Sequence, residues 1–314
     1  MQTMNDFILH HYDGSPFAEK IRILLGHKNA HYNVVNIPVI MPKPDLVALT
    51  GGYRKTPVLQ HDNHIYCDTR LMAQVIDEQF SSESIFPSEL SLTANTVAQW
   101  ADQHLFSVAV ALAFSPAGFE AFRQRVPEKF VEAFVNDRAI MSEGGSGLKM
   151  EANTAFELLP IYLKQLEQQL NNAGPYVCGD KISIADFSIY HCLWFINNNP
   201  GVSALLQGYQ TLNLWFESMK AIGHGSQTSI DATAAIEIAN SAEQVLFSSD
   251  DFLVVNGFKF GDQVDILPTD YGITPVTGEL VVSKTDEIAV KRIDEKAGEV
   301  YVHFPRVGYK IISA

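Results

Sequence analysis

Three short signals fall in a fixed order within the first 80 residues: Ser15-Pro16-Phe17-Ala18, then Thr56-Pro57-Val58, then Asp68-Thr69. They confine this part of the chain to alternating strands and helices. The apolar run Phe7-Ile8-Leu9 reads as a strand, and Phe17, Ile21, Leu24 and Leu25 recur at helical spacing just after it. Ser15 therefore falls at a helix N-cap, with Pro16 at the first helical position, where its missing N–H costs nothing. A helix N-terminus presents unpaired N–H groups and a positive dipole end, which favour a thiolate over a thiol. Ser15 is either a cap and nothing more, or a hydroxyl that also donates to such a thiolate.

The second signal lies in Tyr53-Arg54-Lys55-Thr56-Pro57-Val58-Leu59-Gln60. Proline cannot donate to a sheet ladder, so Pro57 belongs at a strand's first residue or at an edge. A trans Thr56–Pro57 bond merely opens a strand. A cis bond aims the Thr56 N–H and C=O outward, where an extended peptide can pair with them as an added strand. The third signal ends a short strand at Cys67 and opens the helix bearing Leu71, Val75, Ile76 and Phe80. Asp68 and Thr69 are capping residues there, or they form a subsite for an amino-acid head group. In the second case the carboxylate takes the ammonium, while the hydroxyl and helix N–H groups take the carboxyl.

Residues 90–222 read as helix throughout. Trp100, Leu105, Val108 and Leu112 keep helical spacing, as do Phe156, Leu159, Leu163, Leu166 and Leu170. Gly144-Gly145-Ser146-Gly147 breaks the run between them. In Tyr176–Asp186, Ser183 and Asp186 stand at capping-box spacing, a folding device without catalytic weight. Tyr209, Leu212, Trp215, Phe216 and Met219 supply the last packed helix. Residues 223–251 hold no lysine or arginine and read as a linker with one Ala-rich helix, Ala232 to Ala242.

From Phe252 the texture changes to short β-runs: Gln263–Leu267, Val276–Val282, Ile288–Ile293, Glu299–Phe304 and Tyr309–Ile312. Gly, Pro and Asp turns separate them, the pattern of a small all-β barrel or sandwich, read here as an SH3-like barrel of five or six strands. Asp270-Tyr271-Gly272 reads as a turn, and His303-Phe304-Pro305-Arg306 as a strand end broken by proline.

Charge and cysteine usage narrow the function classes. With 22 Lys and Arg against 36 Asp and Glu, the net charge of −14 disfavours nucleic acid and anionic membranes. No basic-then-apolar leader precedes the first strand, and the longest apolar stretch, Val108 to Phe114, is too short for a bilayer. Cys67, Cys178 and Cys192 lack metal or redox spacing, so reduced thiols in the cytoplasm are expected. His10, His11, His61 and His64 show no metal-ligand spacing, and no metal is expected.

On these motifs, residues 7–80 resemble the thioredoxin-like N-terminal domain of the cytosolic glutathione transferases. The order is strand, helix, strand (Tyr32 to Ile37), variable segment, Pro57 strand, Ile65 strand, helix. Tyr176–Asp186 resembles the capping motif of the family's helical domain. The resemblance implies a multi-domain α+β chain. A thioredoxin-like α/β domain would span 5–82 and an all-helical domain 90–222. An acidic linker with a short helix (223–251) and the small all-β domain (252–314) would follow.

The resemblance also implies site roles. The residue matching Ser15 acts on the glutathione sulfur. Tyr12 is the alternative hydroxyl, because members use either Tyr or Ser; Ser15 is preferred because it caps the helix. Thr56, beside Pro57, would pair with the cysteinyl backbone, and Asp68 with Thr69 would bind the γ-glutamyl end. Members usually carry Val or Ile before the proline and Ser after the acid, so Thr56 and Thr69 are conservative departures. Omega-like members have Cys where this chain has Ser15, which argues against mixed-disulfide reductase chemistry.

The implied activity is glutathione transfer, with glutathione as co-substrate and its thiolate attacking a small hydrophobic electrophile. The acceptor is expected between the first strand–helix loop (His11, Tyr12, Phe17) and a wall of Phe106, Val110 and Phe114. Asp102 is expected as an exposed helical carboxylate, or as a group reaching a γ-glutamyl ammonium across a dimer. A homodimer is expected from the family. The alternative is a catalytically weak glutathione-binding scaffold whose residues 252–314 recruit a protein partner.

Overall fold

Alternating apolar strands and capped helices build the N-terminal quarter of the chain in a computed structural model that describes residues 7–80, 82–147, 149–249 and 252–314. Residues 5, 6, 81, 148, 250 and 251 of the expected units lie outside the described residues. Strand β1 (Phe7–His11) is buried along its whole length and leads into α1 (Pro16–His27), which Ser15 caps. Next come β2 (His31–Asn36), α2 (Pro44–Thr50), β3 (Val58–His61), β4 (His64–Cys67) and α3 (Thr69–Gln79). β2 runs parallel to β1, β3 antiparallel to β1, and β4 antiparallel to β3. Helix α2 lies in the segment that periodicity leaves open. Its markers are local: Pro44 in the first turn and Gly51 at φ 75° as a left-handed cap.

The helical unit holds α4 (Ser91–Trp100), α5 (Phe106–Ala113), α6 (Pro116–Arg123), α7 (Glu128–Ser142), α8 (Ala152–Ala173), α9 (Ile184–Asn197) and α10 (Gln210–Ala221). A π-helical turn, Ala101–Leu105, joins α4 to α5. On α8, Leu159, Leu163, Leu166 and Leu170 form the buried stripe, whereas Phe156 is exposed. At the start of α9 the buried Asp186 accepts from the backbone N–H groups of Ser183 (3.0 Å) and Val177 (2.9 Å) and from Trp215 Nε1 (3.0 Å).

The rest of the chain returns to the N-terminal sheet. β5 (Ser226–Ser229) lies parallel to β2 at one edge, and α11 (Ala232–Ser241) follows. β5 is exposed along its length and carries no apolar alternation, so sequence periodicity gives no sign of it. β6 (Gln263–Pro268), β7 (Val276–Ser283), β8 (Glu287–Asp294) and β9 (Gly298–Pro305) form a meander, and β10 (Tyr309–Ser313) pairs back onto β6.

These five strands were expected to close on themselves as a barrel. Instead β9 pairs parallel with β4, giving one ten-stranded sheet in the order β10-β6-β7-β8-β9-β4-β3-β1-β2-β5. The physical reason is the free edge of β4, whose unpaired N–H and C=O groups β9 satisfies. One apolar core is shared across that seam: Ile8, Val58 and Ile65 pack in the same cluster as Val264, Leu280, Val302 and Phe304.

The seam also carries a polar chain. His64 Nδ1 lies 2.9 Å from His303 Nε2, and His303 Nδ1 lies 2.6 Å from Glu287 Oε1, with the Tyr66 ring stacked on His303 at 4.7 Å. Burial, followed by the neighbouring His303, lowers the His64 pKa to about 4. Among the described residues no single helix is long and apolar enough to cross a membrane.

Candidate functional site

A cleft of about 1320 Å³ opens between the N-terminal unit, the helical unit and the turn joining β6 to β7. Of the expected residues, Tyr12, Ser15, Phe17, Thr56, Pro57, Asp68, Thr69, Phe106, Val110 and Phe114 all line it. The first strand–helix turn, the Pro57 turn and the start of α3 thus converge on one wall, although they are far apart in sequence.

Ser15 is buried at the base of this wall. Its Oγ accepts from the Ala18 N–H at 3.2 Å and reaches the Thr56 carbonyl oxygen only at 3.5 Å. A donor bond that long is weak, so the hydroxyl proton is free to turn toward a better acceptor. The Thr56–Pro57 bond is cis, and Thr56 Oγ1 accepts from Lys43 Nζ at 3.3 Å. Burial and the nearby Arg138 lower the Lys43 pKa to about 8. Tyr12 stands half-buried on the same turn, with Lys43 Nζ 5.7 Å from its ring centre.

Asp68 caps α3 from a positive φ of 75°, and its side chain accepts from the Arg70 N–H at 2.9 Å. Its second oxygen accepts from Tyr309 Oη at 3.1 Å, a residue of the last strand. Thr69 is buried beside it.

Two expectations need correction. His11 does not line the cleft: its Nδ1 lies 3.0 Å from Arg22 Nη1 in a buried cluster with Glu19. Burial and the Arg22 charge lower its pKa to about 4, so the ring is neutral. Side chains alternate along β1, and Arg22 claims the inward face that His11 shares. Asp102 is not a free helical carboxylate either. The π-turn turns it toward α1 and α9, where it binds Lys20 Nζ at 2.7 Å and His191 Nε2 at 3.0 Å. Burial works against its charge, but Lys20 and His191 more than offset this and bring its pKa to about 2.

The acceptor end of the cleft is wider than the sequence suggested. Phe119, Phe122, Phe130 and Phe134 join Phe114, with Phe122 and Phe134 5.0 Å apart and Phe114 and Phe134 5.8 Å apart. Arg138 lies 4.8 Å over the Phe134 ring. Phe114 sits between α5 and α6, Phe119 and Phe122 on α6, and Phe130 and Phe134 on α7. Their dense spacing in residues 114–134 was the available signal.

The far wall comes from the C-terminal strands: Asp270, Tyr271, Val307 and Gly308. Asp270 Oδ1 pairs with Lys55 Nζ at 2.6 Å, and that ammonium lies 4.3 Å over the Tyr271 ring. The Gly147 N–H donates to the Asp270 carbonyl at 3.0 Å, and the Gly272 N–H to the Met141 carbonyl at 2.7 Å. The turn is therefore stitched to both other units. Nothing local in Asp270-Tyr271-Gly272 distinguishes it from any other turn.

Comparison with known proteins agrees with this geometry. Residues 9–84 match the glutathione S-transferase N-terminal domain, and residues 139–224 the glutathione S-transferase C-terminal domain. Over 99% of its length the chain aligns with 100% of a GST-like protein from Pseudomonas syringae, at 37% identity and a TM-score of 0.82. The chain belongs to the glutathione S-transferase family. A stretch of 74 residues is 30% identical to glutathione S-transferase U3 of Arabidopsis thaliana, covering 23% of this chain and 33% of that protein. The match thus spans about a third of the curated plant transferase. FzlA from C. crescentus shares the fold at 19% identity and a TM-score of 0.51, covering 69% of this chain and 88% of that one. The Pseudomonas alignment includes the C-terminal strands, so this GST-like architecture is not peculiar to one chain.

Proposed function

We propose that the protein is a glutathione transferase that binds glutathione along the Ser15, Thr56 and Asp68 wall and presents its thiolate to a hydrophobic electrophile. The observation that carries this reading is the convergence of a helix N-terminus with a loosely engaged serine hydroxyl, a cleft-lining Thr56 and an acidic N-cap on one cleft. The N-terminus of α1 and Ser15 lower the pKa of the bound thiol from ~8.5 toward neutrality, which raises the attacking thiolate population. Ser15 acts as the donor, with Tyr12 as the alternative on the same turn. Thr56 holds the cysteinyl backbone beside Pro57, and Asp68 with Thr69 holds the γ-glutamyl head.

The electrophile occupies the phenylalanine-rich end, between Phe17, Phe106, Val110 and Phe114 on one side and Phe134 on the other. The expected homodimer and cytoplasmic setting belong to the same proposal. No specific observation favours the scaffold alternative.

The test is calorimetric titration of glutathione into the wild type, Asp68→Ala and Ser15→Ala, with the thiolate's ultraviolet absorbance followed across pH. We expect Asp68→Ala to weaken binding by ~1.5–3 kcal/mol, the scale of a lost hydrogen bond to a charged group. Ser15→Ala should keep glutathione but raise the pKa of the bound thiol. A wild type that binds no glutathione would sink the reading.

A further inference from the structure

Asp68 is the acidic group of the proposed head-group subsite, yet one of the two donors that hold it comes from the opposite end of the chain. Its Oδ1 accepts from the Arg70 N–H at 2.9 Å. Its Oδ2 accepts from Tyr309 Oη at 3.1 Å, and Tyr53 Oη lies 2.9 Å from Tyr309 Oη. Both tyrosines are buried, and burial raises both hydroxyl pKa values well above the usual range, so they remain neutral donors. With Tyr53 donating to Tyr309 and Tyr309 to Asp68, each carboxylate oxygen holds one donor and keeps a further lone pair for a cleft ligand.

Tyr309 has little room to move. Its ring packs on Phe304 at 5.2 Å, and its backbone pairs with Pro268 of β6. Its neighbours Val307 and Gly308 line the same cleft.

We propose that Tyr309 is a positioning residue for the thiol-peptide site: from β10 it fixes the Asp68 carboxylate in the orientation that receives the ammonium of the γ-glutamyl group. The inference rests on the reading of the cleft as a glutathione site. It gives the C-terminal strands a task within the same chain, completing a wall in which the first 80 residues hold only one of the two Asp68 oxygens.

Tyr309→Phe removes only the hydroxyl and keeps the ring packing, which makes it the informative variant. Glutathione is titrated calorimetrically into the wild type, Tyr309→Phe, Asp68→Asn and the double variant. Tyr309→Phe is expected to weaken glutathione about tenfold, the scale of one hydrogen bond. In the Asp68→Asn background the same change is expected to cost less than about twofold, because the charged acceptor that receives the ammonium is already gone. With a chlorodinitrobenzene acceptor, KM for glutathione should rise by the tenfold factor while kcat stays within about twofold.

A merely structural role would lower the unfolding midpoint without this coupling to Asp68. Tyr53→Phe, which leaves the Tyr309 donor in place, should change affinity less than Tyr309→Phe does. Equal glutathione affinity in the wild type and Tyr309→Phe, or an equal loss with and without Asp68, overturns the role of Tyr309 alone. Absence of glutathione binding by the wild type overturns the transferase reading and this inference with it.

Discussion

The Lys20 ammonium lies 2.7 Å from the Asp102 carboxylate and is itself almost wholly buried, so one ion pair pins α1 to the π-turn of the helical unit. His191 holds the other carboxylate oxygen at 3.0 Å. Asp102→Asn would leave Lys20 buried without a counter-charge, at a cost of about 3 kcal/mol. Urea unfolding should show this as a lower midpoint. The folded carboxyl lies near pKa 2, below its unfolded value, so the stabilisation is full at neutral pH. It fades only as pH falls from about 4 through 2. An unchanged midpoint in Asp102→Asn would mean that this latch adds nothing.

Two buried histidines and the half-buried His64 set a second acid limit. Burial is the main cause that lowers His10, His11 and His64 to about 4, assisted at His11 by Arg22 and at His64 by His303. Unfolded, each takes up a proton near pH 6.5, whereas folded each stays neutral down to about 4. Stability should therefore be full above about pH 6.5 and fall as pH drops toward 4, by on the order of 3 kcal/mol per ring. Urea midpoints measured across that range test this. His64→Gln should flatten the slope, and identical midpoints at both ends would refute the argument.

Gly145 sits between α7 and α8, where the β6–β7 turn meets the helical unit. A Cβ there would come 2.2 Å from the Asp270 carbonyl oxygen, a backbone atom that cannot swing aside. Gly145→Ala should cost about 1–3 kcal/mol by overpacking. It should also loosen the Asp270–Lys55 pair, seen as faster amide exchange in residues 269–275. Full retention of exchange protection would show that the turn does not need this close approach.

The phenylalanine cluster yields a kinetic expectation. Phe134 touches Phe114, Phe122 and Phe130, with ring centres 5.0–6.2 Å apart. Phe134→Ala should raise KM for an aromatic acceptor about tenfold or more, with little change in kcat or in KM for glutathione. A loss confined to kcat would place Phe134 outside the acceptor subsite.

Much of this protein is written locally. Ser15-Pro16, Asp68-Thr69 and the spacing of Leu159, Leu163, Leu166 and Leu170 act through the chain within a few residues, so helix starts and buried stripes follow from sequence. The five C-terminal strands were legible to within a residue or two for the same reason, and so was α11. The short helix α2 and the edge strand β5 were not, because neither carries enough apolar periodicity to announce itself.

What the chain by itself determined is therefore a set of elements, a family resemblance and most of one wall of the cleft. Tertiary structure decided the rest. It laid β9 along β4, turned His11 toward Arg22 and Asp102 toward Lys20, and carried Tyr309 to Asp68 across 241 residues of sequence. The reason is physical. Free strand edges and buried charges must find partners, and which partner is nearest is fixed only when the whole chain has packed.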